Sequence, residues 1–191
     1  FPVFEDNKGT YIMNSRDMCM IDHVAELMDA GLNSLKIEGR AKSAYYAAIV
    51  TGAYRHAIDA AAQGIPLDPV WRDEVEKVSH RHYSTGFYYG YPGQFYEDSR
   101  YIRDWQVAAI VQDCTPDGLA TLSLRNKFKA GDEVELVGPG CKPMAFAAPM
   151  MTDEEGNQLE EPKKPQMLFQ MQMSQAVPPL SILRREVGLT P

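Results

Sequence analysis

The sequence predicts an α/β segment made of βα units, followed by a small antiparallel β-barrel. Three observations lead there. Strand-like and helix-like patterns alternate between Thr10 and Ala62, the order that builds a parallel sheet. The stretch from His80 to Tyr101 is crowded with Tyr, Phe and Gly and keeps no helical period. From Trp105 onward, short apolar runs alternate with frequent turn signals, as in a small barrel.

Thr10-Tyr11-Ile12-Met13 is a short apolar run that breaks at Asn14-Ser15-Arg16-Asp17. A helix then shows one apolar face through Met20, Ile21, Val24, Leu27 and Met28. Asp17 is placed to cap its start and Gly31 to stop it. Ser34-Leu35-Lys36-Ile37-Glu38 alternates like a second strand and breaks at Gly39-Arg40. Ser43 is a plausible N-cap for a second helix, which repeats Tyr45, Ile49, Ala53, Ala57 and Ala60 before Gly64 and Pro66 end it. Two βα units cannot close a barrel, so either further strands lie upstream or this piece packs on something else. Leu67 to Val78 reads as a further short helix.

In the tail, Trp105 to Cys114 and Gly118 to Leu124 read as strands around the turn Thr115-Pro116-Asp117-Gly118. Glu133 to Val137 alternates acid and apolar residues, as a half-exposed strand does. Met144 to Met150, Met167 to Met173 and Ser181 to Arg184 supply further strands, with Glu154-Glu155-Gly156-Asn157 as another turn. The expected divisions are therefore 1–78 for the α/β part, 79–103 for an irregular connecting arm over its surface, and 104–191 for the β-barrel.

The chain has 191 residues, 45% of them hydrophobic, and a net charge of −7. That charge gives no global attraction to nucleic acid or anionic lipid, though a local basic patch remains open. No apolar run approaches the roughly 18–20 residues of a membrane span. The chain begins at Phe1 rather than Met, which suggests a fragment or processed chain. The three cysteines, Cys19, Cys114 and Cys141, are odd in number, widely spaced and form no CxxC pair. A reducing cytoplasm is expected, and a four-cysteine metal site cannot come from this chain alone.

The run Gly9 to Cys19, followed by Lys36-Ile37-Glu38-Gly39-Arg40-Ala41-Lys42-Ser43-Ala44-Tyr45-Tyr46, closely resembles the U32 (collagenase-like) peptidase family. Ser79-His80-Arg81 with Thr85-Gly86-Phe87 fits it too. So do Leu124 to Phe128 and Gly131 to Glu135, which look like its carboxyl-terminal barrel module. The resemblance covers nearly the whole chain. It implies the last βα units of a TIM-like barrel, then the small antiparallel β-barrel, with an upstream half of the same polypeptide as partner. The tail is most similar to the branch of the family that performs prephenate-dependent 5-hydroxylation of tRNA uridine. That likeness implies a [4Fe–4S] cluster in the full-length protein, prephenate as co-substrate and tRNA as partner. Cys19 then matches the last of four cluster cysteines; the other three lie upstream in the family and are absent here.

Cys19 at a helix start suits a thiolate ligand, and a small buried apolar residue is the bland alternative. His23, four residues on, could pair with it as base to nucleophile, although solvation or packing is the simpler role. Lys36, Glu38 and Arg40 share one side of a strand and its exit. On a barrel strand that side faces the interior. Arg40 and Lys36 would hold an anion and Glu38 would orient them or move a proton; the alternative is a buried ion-pair network. Lys42 and the pair Tyr45-Tyr46 open the next helix, the tyrosines as packing. His80 and His82 make a poor metal site by themselves. Arg125, Lys127 and Lys129 form the basic cluster of the tail, interleaved by Phe128, which suits phosphate contact and base stacking. A charged edge that resists aggregation would look the same.

The HExxH, GxSxG and glycine-rich phosphate-loop patterns are missing from the sequence. Three readings stay open: part of an RNA-modification enzyme, a peptidase, or a non-catalytic interaction domain. The isolated chain is expected to be inactive. If residues 1–78 do not fold alone, their exposed edges should drive self-association.

Overall fold

The computed structural model describes residues 3–12, 14–95 and 100–188. The chain divides into two compact units, Phe1–Arg103 and Asp104–Pro191.

The first unit opens with strands β1 (Val3–Asp6) and β2 (Gly9–Ile12), paired antiparallel. This corrects the expectation of a parallel strand from Thr10: the segment just before it folds back on it through the turn at residues 7–8. Met13 lies outside the described residues. Strand β3 (Asp17–Met18) pairs in parallel with β4 (Tyr83–Ser84). That short pair is the parallel sheet among the described residues of this unit. Ser34 to Glu38 carries the expected alternation of burial but no sheet pairing, because among the described residues no strand lies beside it to complete a ladder.

Helix α1 (Val24–Asp29) follows a 3-10 turn at Ile21–His23. Its end has two bonds, Leu32 N–H to the Leu27 carbonyl and Gly31 N–H to that of Met28, at 3.2 and 2.9 Å. Gly31 takes φ +85° there, a left-handed geometry that glycine adopts without steric cost. Helix α2 (Ala44–Ala62) is capped by Ser43, whose side chain accepts from the Tyr46 N–H, and Gly64 ends it in the same way as Gly31. Its buried stripe of Ile49, Ala53, Ala57 and Ala60 is small, so neighbouring elements come close. Helix α3 (Pro69–Glu74) starts from an Asp68 cap and runs into a 3-10 turn at Val75–Lys77. Ile21, Val24, Ala53, Ala57, Trp71 and Val75 form the core.

The arm predicted for residues 79–103 is irregular but tied down. It contributes β4, and His80 bridges to Ile102 and Phe95 to Asn14. Residues 96–99 of that arm lie outside the described residues.

The second unit is an eight-stranded antiparallel sheet. Its strands are β5 (Trp105–Cys114), β6 (Leu119–Leu124), β7 (Glu133–Gly138), β8 (Cys141–Ala147), β9 (Met151–Thr152), β10 (Gln158–Leu159), β11 (Leu168–Gln172) and β12 (Ile182–Glu186). They lie in the order β10-β9-β11-β6-β5-β12-β7-β8. The loop before β7 ties the two ends of the sheet together. Ala130 N–H donates to the Glu160 carbonyl beyond β10, and Gly131 N–H to the Ala148 carbonyl beyond β8, each at 2.8 Å. One core of Ala108, Val111, Leu122, Leu136, Phe169 and Leu183, among others, fills the inside. This arrangement is consistent with a small β-barrel.

Two details depart from the sequence reading. Strand β8 begins three residues before Met144 and ends at Ala147. Glu135, expected on a solvated face, is buried, because Arg184 lies opposite it in the β7–β12 register and takes its carboxylate.

Candidate functional site

Asp17 is the joint of the first unit. It sits in β3, four residues before the first helical turn, and does not cap that helix: the turn at Ile21 has no side-chain cap. Instead its carboxylate accepts from the Arg81 backbone N–H at 3.0 Å and from Arg81 Nε at 3.2 Å, with Lys42 Nζ at 3.7 Å. Asp17 thereby holds the arm against β3 and places two cations beside it.

Lys42 is mostly buried. Its Nζ donates to the Ser79 carbonyl at 2.9 Å and lies 4.0 Å from the centre of the Tyr101 ring. Arg81 and Arg103 approach the same ring at 5.4 and 5.6 Å. Tyr101 thus gathers three cations by attraction to its π-face. Tyr45 and Tyr46 pack as expected: the Tyr45 hydroxyl donates to the Lys77 carbonyl at 2.9 Å, and the Tyr46 ring lies under Gly39, where a Cβ would come within 3.1 Å.

Asp17, Lys42, Tyr46, Arg81 and Tyr101 wall a groove of about 760 Å³. Lys36, Glu38 and Arg40 line it too, so the structure brings the three predicted residues to one place. They are not a buried network. Lys36 and Glu38 side chains are 85% and 69% exposed, 3.6 Å apart, and Glu38 accepts from the Arg40 N–H at 3.1 Å. That bond first, and Lys36 second, hold the Glu38 carboxyl below its ordinary value. The groove carries four cationic side chains, Lys36, Arg40, Lys42 and Arg81, against two carboxylates, Asp17 and Glu38. On a chain of net charge −7, this is a local anion-attracting surface.

Cys19 follows β3, and its backbone N–H donates to the Ser84 carbonyl at 2.9 Å. It is a free thiol, partly buried. The Tyr54 hydroxyl accepts from the Met20 N–H at 2.8 Å and donates to the Cys19 sulfur at 3.8 Å. Burial first, and the Cys19 sulfur second, push the Tyr54 phenol well above its ordinary value. A half-exposed sulfur with a hydroxyl donor fits one corner of an iron–sulfur cluster, where hydrogen bonds to sulfur tune the cluster. A [4Fe–4S] cluster takes four thiolates, and the first unit contains one cysteine. Among the described residues no group of three His, Cys, Asp or Glu could hold a metal ion.

The Cys19–His23 pair does not form the contact of a nucleophile and base. His23 Nδ1 lies 3.0 Å from Glu26 Oε1 and 2.9 Å from the Tyr89 hydroxyl, which also donates to Glu26. The Tyr89 bond first, and His23 second, lower the Glu26 carboxyl. His80 and His82 do not share a site. His80 is buried, with Nδ1 2.8 Å from the Arg81 carbonyl and Nε2 3.2 Å from that of Glu76, whereas His82 packs on Phe95. Sequence reasoning offered Arg81 as an anchor of the arm, but missed that Asp17 is its partner, that Lys42 joins them, and the role of Tyr101. The signal was the lone Asp17 among polar residues ending a strand.

In the second unit Arg125, Lys127 and Lys129 are exposed. Phe128 between them is not available to a base: it is buried in the core against Phe169, ring centres 5.8 Å apart. Arg125 Nη1 donates to Ser123 Oγ at 2.8 Å. No helix of the described residues is long and apolar enough to cross a membrane.

Residues 3–98 match the model of peptidase family U32, and residues 103–184 that of the peptidase family U32 C-terminal domain. The chain is 42% identical over 141 residues to tRNA hydroxylation protein P of Haemophilus influenzae, covering 71% of this chain and 31% of that protein. It is 28% identical over 190 residues to tRNA hydroxylation protein P1 of Bacillus subtilis, covering 96% of this chain and 45% of that one. It therefore spans less than half the length of either relative. A crystal structure of the C-terminal domain of a Geobacillus thermoleovorans U32 peptidase aligns with 42% of this chain and 99% of its own, at 30% identity and a TM-score of 0.40. The chain belongs to peptidase family U32, matching the family model in its first part and the family's C-terminal domain in its second.

Proposed function

We propose that this chain is the carboxyl-terminal part of an enzyme that hydroxylates uridine in tRNA, with prephenate as co-substrate, working in the cytoplasm. What supports the reading is the 42% identity to a protein named for tRNA hydroxylation, together with a cation-rich groove beside a free cysteine. In this reading Ser34 to Glu38, extended and without sheet pairing here, is a strand of a TIM-like barrel that a longer polypeptide completes. Lys36 and Arg40 hold an anionic group of the substrate, Glu38 orients them, and Arg125, Lys127 and Lys129 help dock tRNA. Cys19 supplies one ligand to a [4Fe–4S] cluster, which would bring the one-electron chemistry that the side chains lack. The Tyr54 hydroxyl holds the Cys19 sulfur in place.

The test is iron and sulfide content, with a visible spectrum, in the longer protein purified without oxygen, wild type against Cys19→Ala. The expected result is a cluster in the wild type that the variant loses. Iron absent from both would remove the cluster and leave the substrate proposal to a direct assay of tRNA hydroxylation by mass spectrometry. The family's name offers peptidase activity instead. That needs an activated nucleophile beside a base, and the Cys19 sulfur faces Tyr54 while His23 Nδ1 faces Glu26 and Tyr89. Peptide cleavage lost on Cys19→Ala would restore that reading.

A further inference from the structure

The charged groove has an apolar neighbour. A cavity of about 510 Å³ opens beside it, its walls including Arg16, Met18, Phe87, Tyr88 and Pro92. Met18 and Tyr88 line both cavities, so two side chains separate an aromatic recess from a cationic one. Gly86 permits the packing of that partition. It takes φ +60°, and a Cβ there would sit 2.9 Å from the Met18 sulfur.

The arm beyond Gly86 is unusual. Phe87, Tyr88, Tyr89 and Tyr91 are between 57% and 67% exposed. Large aromatics dominate cores because burying them is favourable, and an exposed group of them marks a binding surface. Phe87 and Tyr91 stand 6.2 Å apart and tilted at 56°, so neither covers the other's face. Tyr89 is held by His23 and Glu26, which anchors the arm while its neighbours stay open.

We infer that the two cavities together bind one unstacked nucleotide of RNA, its base against Phe87 and Tyr88 and its phosphate in the groove by Arg40 and Lys42. The inference rests on the tRNA reading above. A nucleotide is a flat ring with two π-faces joined through a sugar to an anion, and here an aromatic wall adjoins an excess of positive charge across a shared boundary. An apolar peptide would use the recess and gain nothing from the cations. An acidic peptide would use the groove and leave the aromatics wet. Enzymes that modify a base take it out of the helical stack, and aromatic faces receive such bases whatever their sequence.

The test is fluorescence anisotropy with a fluorescein-labelled single-stranded oligouridine and a duplex RNA of equal length, over a salt series. The wild type should prefer the single strand. Phe87→Ala and Tyr88→Ala should each weaken its binding by about 5- to 150-fold with the salt slope unchanged. Phe87→Tyr and Tyr88→Phe keep a stacking face and should keep the affinity, which separates lost stacking from lost folding. Arg40→Gln should reduce the salt slope by about one. If the wild type binds RNA and both alanine variants bind it equally well, the nucleotide site is overturned while the tRNA reading stands. If the wild type binds no RNA of either kind, the nucleotide site is overturned, and the tRNA reading is judged by the hydroxylation assay of the longer protein. If the alanine variants lose self-association by sedimentation but keep RNA affinity, the aromatic face is a protein contact and the inference is wrong.

Discussion

Removing the Glu135 carboxylate should be among the most damaging single changes in the second unit. Arg184 has no exposed surface, and the Glu135 side chain is 8% exposed. Arg184 Nη2 donates to Glu135 Oε1 at 2.6 Å, and the guanidinium lies 5.1 Å from the Trp105 ring. Glu135→Ala leaves that guanidinium in a dry site without its carboxylate. Breaking a buried pair from one side costs about 3–5 kcal/mol, a large part of the roughly 5–15 kcal/mol that holds a typical domain. Replacing both charges, as Glu135→Leu with Arg184→Met, removes the desolvation penalty together with the attraction. That double variant should be neutral or more stable by about 1–4 kcal/mol. The signature is therefore strong non-additivity. Urea unfolding followed by tryptophan fluorescence reads it, since Trp105 adjoins the pair, and the slope m should not change. A Glu135→Ala cost under about 1 kcal/mol, or a double variant as damaged as the two singles together, would show that water reaches the pair and refute the argument from burial.

Four further outcomes are expected. The Tyr54 and Tyr83 phenols are both raised, by burial first and Cys19 second. The folded state then keeps protons that the unfolded chain releases above about pH 10. Their contribution is whole below that pH and is lost as pH climbs toward the raised values, so urea midpoints should fall above about pH 10, and a flat profile would count against it. Tyr89→Phe removes the main cause of the lowered Glu26 carboxyl, and carbon-13 NMR should show the Glu26 pKa rising toward its ordinary value; no movement would mean the hydrogen bond does not persist in solution. Gly138→Ala puts a Cβ 2.8 Å from Ser181 Cβ and 3.2 Å from its Cα. It should cost about 1–3 kcal/mol, partly recovered by adding Ser181→Gly, and a thermal melt that does not change would contradict the close approach. Neutralising Arg125, Lys127 and Lys129 to Gln should weaken tRNA binding and flatten its salt dependence, whereas unchanged affinity would remove these residues from RNA docking.

What the sequence made legible was local. Ser43 caps α2, and Gly31 and Gly64 close their helices, because a cap is decided within a few residues by backbone groups that need partners. Strands β5, β6 and β7 announce themselves by apolar runs and by turns at Thr115 to Gly118 and Gly138 to Gly140. What stayed hidden was decided at long range. Asp17 has the chemistry of an N-cap, yet Arg81, sixty-four positions later, claims its carboxylate. Glu135 looks solvated in its own strand, yet Arg184, forty-nine positions on, makes its burial possible. The alternation of Ser34 to Glu38 is present, with Leu35 and Ile37 half-buried and Lys36, Glu38 and Arg40 exposed, but the side read as facing a barrel interior is the solvent-exposed one here. No alternation can say whether a neighbouring strand exists.

The two aromatic features show how a composition signal turns into a site only when its period is considered. Phe128 sits among three cations, which suggests base stacking, but alternation across Lys127, Phe128 and Lys129 sends a side chain to the side opposite its neighbours. With the lysines in solvent, the ring faces the core, where it meets Phe169. Phe87 to Tyr91 is the opposite case. Gly86, Gly90 and Gly93 all take positive φ, so the backbone turns too often to present one continuous face inward. Aromatics placed on such a backbone cannot all reach a core, a consequence that the reading of His80 to Tyr101 as an irregular arm did not draw. The cationic residues that make those rings useful to a nucleotide, Arg40 and Lys42, lie more than forty positions earlier in the chain. The parallel pairing of β3 with β4, joined by Asp17 and Arg81, brings the two together. A change that loosens that joint, such as Asp17→Asn, should therefore weaken RNA binding through both the aromatic and the ionic contacts at once.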